Sequence, residues 1–362
     1  MSDRCADLER DFAEVVCQLQ PDVIHLHQLS GMSTELVSIS KSIARSVVVT
    51  LNDYLSICPT DTIDCSGRLC FTPGRRCYSC LYPHPFARRR ALGLWRVTNP
   101  LTILLARMLG PYSKAGRCLT SLASRKQQHF EALDKADRII AASRALVRVF
   151  GSAGLDPQRI SIVRHGVPSP SKRVVRSDGD SKPLRFGVIG SNRLKGLEML
   201  LLAFRGIDPN EAELLVYGNL TYPYLLRRRI TALANRPNVR LCGTFHPEDT
   251  DAVFESFDIL IAPSVWIEPF GLVAPQAIVR DVPVIAADSC GFEESVKDGV
   301  NGILFERGNK TALADAIRRC ISDQNFVRLL RSNCGDVKSI STEAIEIEGL
   351  YMESLRDSRE LQ

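Results

Sequence analysis

Residues 263–302 read PSVWIEPFGLVAPQAIVRDVPVIAADSCGFEESVKDGVNG, and this stretch decides the fold. An acidic residue, Glu268, stands immediately before a Pro-Phe-Gly turn that opens a helix. An apolar strand, Val282 to Ala287, follows that helix. A small-residue turn with Glu293 and Glu294 comes next, and then two tight-turn pairs, Asp298-Gly299 and Asn301-Gly302. A helix N-terminus beside a glycine presents unpaired N–H groups and a positive dipole end, which suit a phosphate. The neighbouring carboxylate can accept hydrogen bonds from sugar hydroxyls. Its plainer reading is a helix N-terminal carboxylate that complements the dipole. A phosphate seat next to a hydroxyl acceptor points to a nucleotide-sugar pocket.

Outward from this stretch, strands and helices alternate on both sides of a break. Asp22–His27, Ser46–Leu51, Arg138–Ala142 and Ile160–Val163 read as strands in the first half. Residues 168–183 are rich in Ser, Asp, Lys and Pro, lack periodicity and read as a linker. Strands then resume at Arg185–Gly190, Leu214–Tyr217, Val239–Cys242, Ile259–Ala262 and Val284–Ala287. The pattern predicts α/β architecture: two Rossmann-like, doubly wound parallel sheets facing a cleft, with ligands at the carboxyl ends of the strands. The expected organisation is a first domain over 1–167, the linker, a second domain over 184–340 and a C-terminal helix over 341–362 that crosses back to the first domain.

At 362 residues the chain is long enough for two domains, and 45% hydrophobic with 24% charged residues is an ordinary globular balance. A net charge of +5 suits a visit to an anionic membrane surface without requiring one. The start, MSDRCADLERDFAEV, is charged throughout and does not read as a signal peptide. No charge-free apolar run approaches about 18 residues, so no transmembrane helix is expected. Twelve cysteines without a secretory signal favour a reducing compartment, with thiols or a metal rather than disulfides, hence a cytoplasmic location, and the positive charge is compatible with a peripheral place on the inner membrane face.

The 263–302 segment resembles the donor-site signature of the retaining glycosyltransferases of family 4, with Glu268, Phe270, Gly271, Leu272, Val273, Ala277, Pro283, Val284, Glu294, Gly299, Asn301 and Gly302 in register. Pro21–His27, Ala136–Ser143 and Lys195-Gly196 match further motifs of that family, so the resemblance covers roughly residues 20 to 330. It implies the two-domain GT-B architecture and a nucleoside-diphosphate sugar as donor. The acceptor would be a glycan or lipid-linked saccharide, in cell-surface polysaccharide or glycoconjugate synthesis. The family's opening strand and Gly-rich loop have no counterpart here. The first domain therefore reads as incomplete at its N-terminus, which leaves room for an N-terminal partner chain.

By the same resemblance, Glu268 would bond a sugar hydroxyl of the donor. Lys195 would meet the diphosphate, with Arg193 as a second cation after the strand-ending Gly190. The amides of Phe270, Gly271 and Leu272 would complete the seat. Two cations plus amides can stabilise a leaving diphosphate, so no catalytic metal is expected. Gln276 stands where the family has a Glu for the ribose, a loss of about 1–2 kcal/mol of charge-assisted bonding. Glu294 aligns with the family's later Glu, and His165-Gly166 with its Asn-Gly. Asn52 replaces a His that the family keeps near the reacting sugar, and Asp53 follows it either as a catalytic neighbour or as an Asx-turn residue. Asn52 and Gln276 also fit a second reading, a non-catalytic glycosyltransferase-like subunit acting through a partner chain.

Five cysteines, Cys58, Cys65, Cys70, Cys77 and Cys80, cluster in a loop, and Cys77-x-x-Cys80 has zinc-knuckle spacing. The family resemblance selects Cys58, Cys70, Cys77 and Cys80 for a structural zinc and leaves Cys65 spare; free thiols are the alternative. His25 and His27 face one side of a strand, with a core or turn role favoured over metal ligation. Arg88–Arg90 with the apolar stretch to Leu109 reads as either an interfacial or a packed helix. The run Arg227–Arg229 reads as a solvated helix face. Basic residues are otherwise scattered, so nucleic acid is not expected as a partner.

Overall fold

The computed structural model describes residues 5–29, 32–63, 70–71, 114–171, 183–190, 193–220, 222, 224–288, 291–335 and 337–360. The chain divides into two compact units, Met1–Val163 with Ile345–Gln362, and Arg164–Ala344. Most of the expected linker, Cys65, Cys77, Cys80 and the Arg88–Leu109 stretch lie outside the described residues. Among the described residues, no helix is long and apolar enough to cross a membrane.

The first unit is a four-stranded parallel sheet in the order β1-β2-β3-β4: Val23–Leu26, Ser46–Leu51, Arg138–Ala141 and Ile160–Ile162. All six residues of β2, including the polar Ser46 and Thr50, are buried, as expected of a parallel strand covered on both faces. Helix α1 (Ala6–Leu19) precedes β1, and α2 (Glu35–Ile43), α3 (Lys114–Lys135) and α4 (Arg144–Ser152) lie between the strands in sequence. α4 starts at a working N-cap, with Ser143 Oγ accepting from Leu146 N at 3.1 Å. That bond is worth about 1 kcal/mol. Ala145, Leu146, Val149 and Phe150 then form its buried stripe.

The second unit is a six-stranded parallel sheet in the order β10-β9-β8-β5-β6-β7. In sequence the strands are β5 (Leu184–Ile189), β6 (Ala212–Tyr217), β7 (Val239–Gly243), β8 (Ile259–Ala262), β9 (Val284–Asp288) and β10 (Gly302–Glu306). Strand order runs outward in both directions from the β5/β8 pair, so that pair is the topological switch point where such sheets bind ligands. Its helices are α5 (Leu197–Ala203), α6 (Tyr224–Ala234), α7 (Thr250–Glu255), α8 (Val273–Ile278), α9 (Lys310–Ser322) and α10 (Gln324–Ser332).

Strand alternation builds two cores. Ile259 and Ile261 face one side with Phe186, Leu214 and Ile285, against α5, α6, α9 and α10 through Leu200, Phe204, Ile230, Leu313 and Phe326. Leu260 and Ala262 face the other side with Leu215 and Val284, against α7 and α8 through Phe254, Ala274 and Ile278.

β10 is a strand that the turn-rich sequence does not announce. Asn301 shapes its entry, accepting from Lys297 N at 2.8 Å and donating to Ser295 O at 3.0 Å. Asp298 Oδ1 accepts from Leu304 N at 2.8 Å. With the turn fixed by side chains, five residues pair along β9.

The last helix, α11 (Ile340–Glu360), gives its residues from Ile345 onward to the first unit. It is held there by polar contacts as much as by its Ile347, Leu350 and Tyr351. Ser354 and Ser46 hydroxyls meet at 2.6 Å, and Asp357 takes Arg138 of β3. His25 Nδ1 meets Tyr351 Oη at 2.6 Å and its Nε2 meets Thr50 Oγ1 at 2.6 Å, so both ring nitrogens are taken by protein groups. The His25 and His27 rings stack at 3.9 Å.

Burial, and next the His27 charge, lower the His25 pKa to about 4 from 6.5. The unfolded chain therefore binds the extra proton first. The stabilisation is complete above pH 6.5 and is lost as pH falls towards 4. Thermal unfolding followed from pH 7 to pH 4 is expected to show a falling midpoint, with the slope flattened in His25→Gln; an unchanged slope in that variant removes His25 as the cause.

Candidate functional site

At the switch point the loops after β5 and β8 are stitched together. β5 ends at Gly190, whose φ of +94° turns the chain and whose N–H bonds Tyr217 O at 3.0 Å. A 3-10 turn, Arg193–Lys195, leads into Gly196, with φ of +73°. A Cβ on Gly196 would stand 1.9 Å from the Pro263 carbonyl oxygen, so only glycine allows this approach. Val265 N donates to Leu194 O at 2.8 Å and closes the junction.

That junction brings Lys195 to Glu268. Glu268 is 3% exposed, and its Oε1 collects three donors: Lys195 Nζ at 2.7 Å, Trp266 Nε1 at 3.1 Å and Ser264 Oγ. The ammonium also stands 6.0 Å from the centre of the Trp266 ring. A buried carboxylate is costly unless paired and hydrogen-bonded, and here it is both.

The turn after Glu268 is packed as tightly. Gly271 has φ of +81°, and a Cβ there would meet the Phe292 ring at 2.5 Å. A Cβ on Gly291 would lie 2.3 Å from Glu268 O. Phe270 is buried, and His165 sets its ring edge-on to it at 5.2 Å. Leu272 precedes α8, a helix of only six residues, and Gln276 sits half-buried on it with its carbonyl accepting from Arg280 at 2.9 Å.

Glu294 lies in a 3-10 turn after β9 and takes Arg164 Nε at 2.6 Å. Glu343 fixes the neighbouring backbone, with Oε1 at 2.9 Å from His165 Nδ1 and Oε2 accepting from Gly166 N at 2.7 Å.

The second unit thus gathers Gly190, Arg193, Lys195, Glu268, Phe270, Gly271, Leu272, Gln276 and Glu294 around the carboxyl ends of its central strands. Reading the sequence missed Trp266, Ser264, Arg164 and Glu343. Ser264 and Trp266 lie four and two residues before Glu268, a local signal, whereas Arg164 and Glu343 reach their partners only through the fold.

Asn52 and Asp53 belong to the first unit, after β2. Asn52 Nδ2 donates to His27 O at 2.7 Å, and its Oδ1 is enclosed without a partner among the described residues. Asp53 Oδ1 accepts from Leu55 N at 2.9 Å, an Asx turn, and Oδ2 takes Gln28. Cys58 is buried with its Sγ 3.2 Å from Thr60 Oγ1, and Cys70 N bonds Ile63 O at 2.8 Å. Among the described residues no three potential metal ligands converge.

The fold and this site define a class. Over 94% of the chain and 81% of its own length, HepE of Anabaena, solved in complex with UDP and glucose, has the same fold, with a TM-score of 0.64 at 20% identity. A sucrose-phosphate synthase of Thermosynechococcus elongatus gives a TM-score of 0.66 over 95% of the chain and 76% of its own, at 18% identity. The chain has the GT-B fold, two parallel-sheet α/β domains.

Residues 178–336, within the second unit, match the family described as Glycosyl transferases group 1. A D-inositol 3-phosphate glycosyltransferase of Corynebacterium kroppenstedtii is 27% identical over 73% of this chain and 63% of its own length. A namesake from Xylanimonas cellulosilytica is 30% identical over 52% of this chain and 49% of its own. The chain thus spans about half to two thirds of the length of these curated relatives.

Gly196→Ala is expected to destabilise the second unit by more than about 2 kcal/mol, combining left-handed backbone strain with the clash on Pro263. Gly206→Ala, at φ of +90° with nothing near its added Cβ, is expected to cost only the backbone share. Denaturant unfolding of the two variants makes the comparison; equal losses would remove the close approach as the constraint.

Proposed function

We propose that the chain is a glycosyltransferase that takes a sugar from a nucleoside-diphosphate sugar to a hydroxyl of a glycan or lipid-linked saccharide, with retention at the anomeric carbon. The observation that carries this reading is the Lys195–Glu268 pair at the β5/β8 switch point, 2.7 Å apart and fed by Ser264 and Trp266. Without a ligand, the cation rests on the carboxylate. A diphosphate arriving at Arg193–Lys195 and the Phe270–Leu272 amides gives the ammonium a stronger partner. Glu268, still held by Ser264 and Trp266, then turns its freed capacity to the sugar hydroxyls.

The leaving diphosphate gains charge as the glycosidic bond breaks. Lys195, Arg193 and backbone amides neutralise that charge without any step requiring a metal. Gln276 accepts from the ribose by its amide oxygen. Asn52 and Asp53, after β2, are the first unit's proposed catalytic residues. The four-cysteine set Cys58, Cys70, Cys77 and Cys80 holds a structural zinc in this reading. UDP and glucose bound to HepE support the donor class, and the phosphatidyl-myo-inositol mannosyltransferase of Mycobacterium leprae, 31% identical over 34% of this chain, supports a lipid-linked acceptor.

Thermal unfolding against UDP, GDP, ADP and their sugar conjugates tests the donor site. A nucleotide at about 100 times its Kd adds roughly 2.7 kcal/mol and raises the midpoint by a few degrees. A shift with one base and sugar release from that donor is the expected result. A shift without turnover favours the binding-subunit reading, which Asn52 in place of a histidine supports. No shift with any of them ends the donor-site assignment.

Lys195→Ala is expected to remove the shift and also to destabilise the chain by about 1–3 kcal/mol, less than a fully buried pair would lose because the ammonium is 33% exposed. Adding Glu268→Gln should recover stability but not nucleotide binding. Recovery of both would show that the pair is structural only.

A further inference from the structure

Helix α6 gives only one of its faces to the core of the second unit. Ile230 and Ala234 are buried there, with Leu226 and Leu233 packed beside them. That stripe, spaced i, i+4, i+7 and i+8, completes the inner face. The outer face does not turn polar at once. Tyr224 is 75% exposed and Leu225 70%, and neither belongs to the core. Leu241, on the edge strand β7, is 40% exposed and lines the same hollow as Tyr224, Arg227 and Arg228. Single exposed apolar side chains need no explanation, but an aromatic and two leucines gathered on one surface do.

The free charge on this surface is of one sign. The run Arg227–Arg229 is solvated, as the sequence implies. Arg229 is paired with Glu198 at 2.7 Å, and Arg240 on β7 with Glu213 at 2.7 Å. Arg227 and Arg228 have no carboxylate partner among the described residues. At three and four positions beyond Tyr224, and two and three beyond Leu225, they stand one helical turn from the exposed pair.

We propose that this face of α6, with Leu241 of β7, docks the second unit on an anionic lipid surface. Arginine heads meet lipid phosphates while a tyrosine ring rests at headgroup level and a leucine enters the acyl boundary. Two cations or one apolar pair would hold a bilayer weakly, and reversible attachment takes both signals. A soluble phosphate compound would meet the arginines and leave the apolar members in water. Tyr224 and Leu225 project from the surface, so a fluid layer takes them in without the shaped counterpart that a protein partner would need.

Flotation of the full chain, without nucleotide, on vesicles of phosphatidylglycerol and of phosphatidylcholine tests the surface. Binding to the anionic vesicles alone is expected, weakening as salt is raised. Arg227→Ser with Arg228→Ser, and separately Tyr224→Ser with Leu225→Ser, are each expected to weaken it about tenfold or more. All four residues are exposed, so these variants keep the fold. Arg10→Ser with Arg318→Ser removes the same charge from arginines that already have carboxylate partners, and should leave binding unchanged.

No binding, equal binding to both vesicles, or binding that survives either α6 double variant overturns the proposal. So does an equal loss in the Arg10 and Arg318 control, because net charge alone would then explain the attraction. A dimer of the chain that dissociates in the Tyr224 and Leu225 variant, without vesicle binding, also overturns it, since a second copy would then cover the face. The measurement needs no donor, so a failed nucleotide shift at the switch point leaves its outcome intact.

Discussion

Everything at the switch point depends on keeping one buried carboxylate supplied with hydrogen-bond donors. Glu268 lies where the sheet order reverses, closed off from solvent, and a bare carboxylate there would cost several kcal/mol. Two of its three donors, Ser264 and Trp266, come from the same loop and are fixed once β8 ends. The third, Lys195, comes from the loop after β5 and reaches Glu268 only because Gly196 lets the two backbones nearly touch. The division matters for function. The local donors hold the carboxylate in place, and the distant one is the partner for which an arriving anion would compete.

Such a site is a store of charge held in readiness. The lysine and the glutamate are compatible with the folded chain because they neutralise each other, and a donor substrate would meet each with an opposite demand: phosphate for the cation, hydroxyls for the anion. The glycines at 196, 271 and 291 serve this arrangement by close packing, since each would place a Cβ under 3.0 Å from neighbouring atoms. Side chains at these positions would push apart the loops that carry the pair, leaving Glu268 buried but short of a donor.

Strand existence was legible because parallel strands covered on both faces are mostly apolar, as Val47, Val48 and Val49 of β2 show at 0% exposed. β10 escaped because its entry is fixed by Asn301 and Asp298 side chains rather than by its own composition. Glu268 and Lys195 were singled out through the family resemblance; their direct pairing was not legible, because it depends on two loops 73 residues apart in sequence. Trp266 was readable in principle, two positions from the carboxylate it serves. Arg164 and Glu343 were not. Arg164 reaches Glu294 across 130 residues, and Glu343 reaches His165 across 178. Periodicity within an element carries no trace of such pairings.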